Sequence, residues 1–427
     1  MSIADWVLIA GFLFALFSGL PVVFALGLVS VVGLLMNDID LIVLAQRIVA
    51  GSQVFSLLAI PGFIMTGDLM MHGGLSKRLV KLCQAMVRKV VGGMGIVTVL
   101  ASTFFAAISG SAPATTAAIG GIMIPEMEKR GWPRDFSTAL ATASGPIGQM
   151  IPPSIPMIIW GIIAEESISD LFLAGIIPGV LIAGGLMMVC YFKARKDNIS
   201  VDASPLEKGE LLATLRESKW ALAAPLIILG GIYGGVFTPT EASAFGVVYA
   251  AFVGLVIHRD LDIRDVGSIV AKSMRTTAMV CSIIAVASAF GWLIAMERMP
   301  ARLAEVILSL SDNKILILLM INLLLLFVGA IMDNIAAMII LGQVLITVGM
   351  QLGLDPTHLG AMVVVNFAIG MATPPFGYSL FVGASISGLK VEQVSKPLWP
   401  MLGVMVFVLM LVTFVPWITL ALPTLMK

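Results

Sequence analysis

Two short stretches join glycine, proline and a hydroxyl inside otherwise apolar sequence, and these are the residues best placed to do chemistry. The first is Gly145-Pro146-Ile147-Gly148-Gln149-Met150-Ile151-Pro152-Pro153-Ser154, and the second is Ala368-Ile369-Gly370-Met371-Ala372-Thr373-Pro374-Pro375-Phe376-Gly377. Proline lacks the amide donor and clashes with the preceding turn, so neither stretch continues a helix. A broken helix frees carbonyl oxygens, which are hard ligands for a small hard cation. It also exposes a helix N-terminus, whose amides and dipole attract an anion. One such break is most simply a proline kink. Two at matching positions read instead as two parts of one binding site.

A second polar spot lies upstream of each break. In the first half it is Ser109-Gly110-Ser111-Ala112-Pro113-Ala114-Thr115-Thr116, flanked by apolar arms at about 95–108 and 117–125. Arms this short suit a re-entrant hairpin with its tip near the membrane midplane, although small residues also let helices pack closely. In the second half the tip falls at Gly329-Ala330-Ile331-Met332-Asp333-Asn334, with arms at about 315–328 and 335–350. The two tips differ in sequence, and their alignment slips by about three residues. Asp333 is the sharpest single residue, because a carboxylate at a helix centre costs roughly 2.5–3.5 kcal/mol on insertion scales. It has three available roles: binding a cation, accepting hydrogen bonds that shape the tip, or carrying a proton.

The surrounding elements must be membrane helices. The 427 residues are 59% hydrophobic and 12% charged, against roughly 25% charged in a soluble domain. Apolar runs near 20 residues recur from end to end, without the alternation of a membrane β-barrel. The fold class is therefore all-α and polytopic. A formal net charge of zero argues against a nucleic-acid partner. Cys83, Cys190 and Cys281 are scattered and suit buried packing, while His72, His258 and His358 near segment ends read as surface residues. No P-loop is present, and neither Ser109 nor Ser154 has a partner histidine in sight, so no enzyme is indicated.

Basic residues set the orientation. They cluster at Lys77–Lys89, at Lys193–Lys219 including Lys208, and at Arg259–Arg275. Positive charge favours the cytoplasmic side, which places all three segments there. Spans near 221–237 and 241–258 then meet outside at Thr238-Pro239-Thr240-Glu241, where Glu241 can cap the following helix. The span near 54–71 ends inside, while its partner near 276–293 begins inside. Equivalent helices thus run in opposite senses, as in an inverted repeat.

Many residues keep the offset from Gly148 to Gly370: Gly120 with Gly342, Gly131 with Gly353, Gly161 with Gly383, Pro178 with Pro400, and both proline pairs. The first repeat is 1–195, a cytoplasmic linker is 196–220, and the second repeat is 221–427. The N-terminal hairpin 5–36, broken at Gly19-Leu20-Pro21, starts outside. The last span ends outside, by Lys427. Residues 75–90 mix basic and apolar positions as an interfacial helix does, or as an ordinary loop helix would. Their counterpart is about 299–311.

At the Ser109–Thr116, Gly145–Ser154 and Gly370–Gly377 segments the chain resembles the large membrane subunit of tripartite ATP-independent periplasmic (TRAP) transporters, the DctM/SiaM-like family. The resemblance covers nearly the whole chain, and its wider fold looks like that of ion-transporter superfamily elevator carriers. It implies a sodium-coupled importer of small organic acids in the bacterial inner membrane. A small four-helix membrane subunit (DctQ/SiaQ-like), expected as a separate chain, and a periplasmic binding protein (DctP/SiaP-like) would complete it. Carried over residue by residue, one sodium site falls around Ser109, Gly145, Gly148 and Gln149. The other falls around Gly329, Asp333, Gly370 and Thr373. Ser109 and Ser154, with Ser111 and Asp333 at the tips, are then placed to hold the substrate. The rival readings are a cation/proton antiporter with Asp333 as proton carrier, a carboxylate carrier working alone, and a non-transporting scaffold.

Overall fold

Helices, and no strands, make up the described part of the protein, residues 3–199 and 209–426 of a computed structural model. The first half contributes α1 (Ile3–Phe17), α2 (Val22–Met36), α3 (Ile42–Ser52), α4 (Ala59–His72), α5 (Leu75–Val87), α6 (Gly93–Ser109), α7 (Ala112–Lys129), α8 (Arg134–Ser144), α9 (Ile147–Met150), α10 (Ile155–Ala164) and α11 (Ile168–Lys196). The second contributes α12 (Glu210–Tyr233), α13 (Pro239–Phe252), α14 (Ile263–Met296), α15 (Met299–Ser309), α16 (Lys314–Ile331), α17 (Asn334–Gln351), α18 (Pro356–Gly370), α19 (Tyr378–Ser387), α20 (Val391–Phe414) and α21 (Trp417–Leu425). Seven helices among the described residues are long and apolar enough to cross a bilayer. An eighth is obtained if the pair Arg134–Met150 and Ile155–Ala164, bent by 41°, is one span. Lys208 and Lys427 lie outside the described residues.

The repeat is visible in the element boundaries. Moved by the offset from Gly148 to Gly370, α7 coincides with α17 residue for residue, and α8 starts where α18 starts. Both Pro-Pro peptides, Pro152-Pro153 and Pro374-Pro375, are cis. The three-residue slip expected at the hairpin tips is absent. It arises from aligning Gly110 with Gly329, whereas the N-cap residues Ser111 and Asp333 are the true counterparts. Serine and aspartate both favour the N-cap, so a shared position carries two different letters. Residues 112–116, expected in the first tip, form the opening turn of α7, so each hairpin arm has 17 or 18 residues.

The halves interlock in a reciprocal way. In the first half α10 packs on α17 and α18 of the second, and in the second α19 packs on α7 and α8 of the first. A second group is built around α14, which lies against α2, α3 and α4, with α13 on α4 and α12 on α5. Asp68, late in α4, accepts a hydrogen bond from Ser273 Oγ at 2.7 Å, early in α14. So α4 runs toward the face from which α14 departs, and the equivalent helices are antiparallel.

That face gathers the three basic segments. Arg78 pairs with Asp260, Arg88 Nη1 donates to both Glu210 oxygens at 2.9 and 3.1 Å, and Ser218 Oγ donates to the Arg78 carbonyl at 2.9 Å. Helix α5 is amphipathic: Leu75, Leu79, Leu82 and Cys83 are buried while Lys77 and Lys81 are exposed. On the far side, Thr238 and Glu241 form a capping box ahead of α13, with Glu241 Oε2 accepting from the Thr238 amide at 2.8 Å.

Two expectations need correction. His358 is not a surface residue but wholly buried, with Nδ1 2.7 Å from Thr419 Oγ1. The helix begins at Pro356 and α21 folds over its first turn, which no local signal at His358 announces. His258 is half-buried, whereas His72 is exposed as read. Cys83 and Cys190 are buried and Cys281 is half-buried.

Candidate functional site

Both breaks and both hairpin tips meet in one place. The first break is assembled by its prolines and Ser154. Pro152-Pro153 ends the short helix α9, and Ser154 caps α10 by accepting from the Met157 amide at 3.3 Å. The Ser154 hydroxyl also donates to the Gln149 carbonyl at 2.5 Å. Ser154 is fully buried, and its hydroxyl is thus committed to holding the break in shape. The first tip leans on this turn: the Ile155 amide donates to the Gly110 carbonyl at 3.4 Å. A methyl group placed on Gly110, whose φ is +60°, would lie 2.6 Å from the Pro153 oxygen.

Close backbone approach brings each tip onto its own break. A methyl group on Gly148 would stand 2.5 Å from Thr115 Oγ1 and 2.8 Å from the Ser111 carbonyl. A methyl group on Gly370 would stand 2.8 Å from Gly329 Cα. Gly145, Gly148 and Ser109 are therefore grouped at the first tip, and Gly329 and Gly370 at the second. Ser109 Oγ lies 2.8 Å from Thr115 Oγ1, and Gly67 of α4 backs onto Ser109 Cα.

Gln149 joins the two groups. It accepts at Oε1 from Asn334 Nδ2 at 2.7 Å, and its Nε2 donates to Met371 Sδ at 3.2 Å. Gln149 is 5% exposed and Asn334 1%, so this bridge is shielded from water. Thr373 is half-buried and donates to the Ile369 carbonyl at 2.8 Å. Asp333 is the N-cap of α17, accepting at Oδ1 from the Ile335 amide at 2.9 Å. It shapes the second tip and makes no ion pair among the described residues.

Several buried oxygens near the breaks have no hydrogen-bond partner: Thr116 Oγ1, Thr142 Oγ1, Ser144 Oγ, Asn334 Oδ1 and Ser379 Oγ. Buried polar atoms are nearly always paired, so oxygens left unpartnered beside the breaks leave acceptors open to a small cation or water. Oxygen-only donors fit sodium and not a soft transition metal. No group of three or more His, Cys, Asp or Glu with metal-binding geometry occurs among the described residues.

The two breaks differ in cover. Residues 141–161 are buried without exception, whereas Pro375, Phe376 and Tyr378 at the second break are exposed.

Sequence reasoning did not find the polar chain in the second half. Asn366 Nδ2 donates to Asn322 Oδ1 at 2.8 Å, and Asn322 Nδ2 donates to Thr413 Oγ1 at 3.1 Å, linking α16, α18 and α20. The argument that singled out Asp333, a polar side chain inside an apolar run, applies equally to Asn322 and Asn366 and would have found them.

A family profile described as the tripartite ATP-independent periplasmic transporter, DctM component, matches residues 9–418. The chain belongs to the DctM family. It is 36% identical over 438 residues to the C4-dicarboxylate TRAP transporter large permease protein DctM of Rhodobacter capsulatus, covering 98% of this chain and 99% of that one. It is 37% identical over 418 residues to the sialic acid large permease SiaM of Vibrio cholerae, covering 98% of each. It is 41% identical over 406 residues to the isethionate TRAP transporter permease DctMQ of Oleidesulfovibrio alaskensis, covering 94% of this chain but 64% of that longer protein. The YdaH transporter of Alcanivorax borkumensis has a similar fold, with a TM-score of 0.66 at 16% identity over 89% of this chain and 88% of that one. This DctM-family chain is thus a transporter subunit rather than an enzyme, a multi-pass protein of the inner membrane.

Proposed function

We propose that this DctM-family subunit carries small organic acids into the cell, driven by sodium, with a small membrane subunit and a periplasmic binding protein as partners. The acids named for its relatives (C4-dicarboxylate, sialic acid and isethionate) are all anions, with a carboxylate in the first two and a sulfonate in the third. The observation that carries the reading is the meeting of two breaks and two hairpin tips, with Gln149 of the first break bonded to Asn334 at the second tip and Met371 at the second break, and with buried oxygens without partners beside them.

One sodium ion is assigned to Ser109, Gly145, Gly148 and Gln149, and a second to Gly329, Asp333, Gly370 and Thr373. Ser109, Ser111, Asp333 and the helix start behind Ser154 face the substrate. Cation binding fixes each tip on its break and neutralises the freed oxygens, so an acid binds well only after sodium does. Coupling of this kind is a differential affinity between states. The hairpins and broken helices, entering and leaving on one side as re-entrant pairs, move as an elevator core against a frame made by α1–α5 and α12–α14.

The test is uptake into proteoliposomes holding this subunit with its small partner, with binding protein supplied outside. Uptake of an organic acid that needs both a sodium gradient and the binding protein is expected. Uptake that survives the removal of sodium, or needs no binding protein, overturns the reading.

A further inference from the structure

A second polar feature lies away from the breaks, on the face that gathers the basic segments. There α5, the start of α12 and the π turn Val253–His258 enclose an open groove of about 600 Å³. Lys77, Arg78, Lys81, Arg216, Trp220 and His258 line it, with Glu217 and Asp260 as its carboxylates. Four cations therefore face two anions. Asp260 is taken by Arg78. Glu217 stands 3.9 Å from Lys81, with both side chains more than half exposed, a contact that solvent screens heavily. Lys77 and Arg216 have no carboxylate partner among the described residues. His258 adds a buried Nε2 without any hydrogen-bond partner.

Trp220 gives the groove its depth in the membrane. Its carbonyl accepts from Tyr249 Oη at 2.8 Å, which fixes the residue, and Lys219 Nζ lies 5.1 Å from the ring centre. Tryptophan with flanking lysine marks the headgroup layer of a bilayer. The cytoplasmic leaflet carries the anionic lipids, and basic pockets between membrane helices on that side hold their headgroups.

We propose that this groove binds the phosphate of an anionic phospholipid of the inner leaflet. Lys77 and Arg216 clasp the phosphate from α5 and α12, His258 Nε2 supplies a third polar contact from the π turn, and Trp220 packs at the glycerol level. A lipid so held ties α5 to α12 and α13. The proposal is independent of which acid is carried.

The test uses the whole purified chain, stripped of lipid in detergent and titrated with phosphatidylglycerol or phosphatidylcholine while bound lipid is measured by native mass spectrometry. Phosphatidylglycerol is expected to bind in preference, and Lys77→Gln with Arg216→Gln to weaken it roughly thirtyfold, two cations near an anionic surface being worth about that much. The charge-matched pair Lys89→Gln and Lys196→Gln, outside the groove, leaves it unchanged. Equal weakening by both pairs, or no preference for phosphatidylglycerol, overturns the proposal. Inorganic phosphate provides the other arm: if it displaces the lipid at comparable concentration, the site serves a soluble anion and the lipid assignment fails.

Discussion

Gln149 and Met371 hold the same position in the two halves, 222 residues apart, and they touch, with Gln149 Nε2 3.2 Å from Met371 Sδ. A residue meets its own counterpart only on a two-fold axis, so the internal axis of the molecule passes between these two side chains. The packing of α10 on α17 and of α19 on α7 has the same origin. The site at the breaks is therefore shared between the halves.

Gln149→Ala removes the bridge to Asn334 and leaves a buried amide with no partner at either end. A loss of about 1–3 kcal/mol in stability is expected. A double-mutant cycle with Asn334→Ala, read by thermal unfolding in detergent, should return a coupling of roughly 0.5–3 kcal/mol. Additive losses would show that the two side chains do not depend on each other.

Gly148→Ala and Gly370→Ala push a methyl group against Ser111 and Gly329, each within 3 Å. Both should lower stability by about 1–3 kcal/mol through overpacking and abolish uptake. Gly121 and Gly403 have nothing within 4 Å of the same position. Gly121→Ala and Gly403→Ala should instead gain up to about 1 kcal/mol from helix propensity and transport normally. Unfolding temperatures with parallel uptake assays decide between these outcomes.

Asp333→Asn retains a helix N-cap, which asparagine fills as well as aspartate, but loses the charge. Its unfolding temperature should match that of the parent, while sodium-driven uptake falls to background. Asp333→Ala should lose uptake and about 1 kcal/mol of stability together. Full uptake by the asparagine variant would remove the carboxylate charge from the mechanism and leave it a purely structural role.

Asn366→Leu strips Asn322 Oδ1 of its donor inside α16, α18 and α20. Cross-helix hydrogen bonds in membrane proteins are worth about 0.6–2 kcal/mol, and a thermal shift of that size is expected. A variant as stable as the parent would show that the pair contributes nothing net.

The breaks were legible because Gly145, Pro152, Pro153, Gly370, Pro374 and Pro375 act locally: a proline ends a helix whatever surrounds it. Glu241 as a cap and α5 as an amphipathic helix were legible for the same reason, each being written within a turn or two of sequence. The tip register was not, because Ser111 and Asp333 fill one backbone role with unlike side chains while the conspicuous glycines, Gly110 and Gly329, stand three places out of step. His358 was missed because its burial depends on α21, which closes over it from far along the chain, whereas Asn322 and Asn366 carried a local signal, a polar side chain inside an apolar run, that went unused. Ser154 was assigned outward to a ligand, but its hydroxyl turns inward to the Gln149 carbonyl, and only the folded turn reveals that direction.

The ties across the basic face reach far along the chain: Arg88 to Glu210 across 122 residues, Ser218 to Arg78 across 140 and Arg78 to Asp260 across 182. Each can close only if the intervening helices have traversed the bilayer an even number of times. A helix threaded the wrong way during biogenesis would strand the partners on opposite sides of the membrane, where no rearrangement short of reinsertion reunites them. These few side chains thus meet only when every crossing between Arg78 and Asp260 has the right sense.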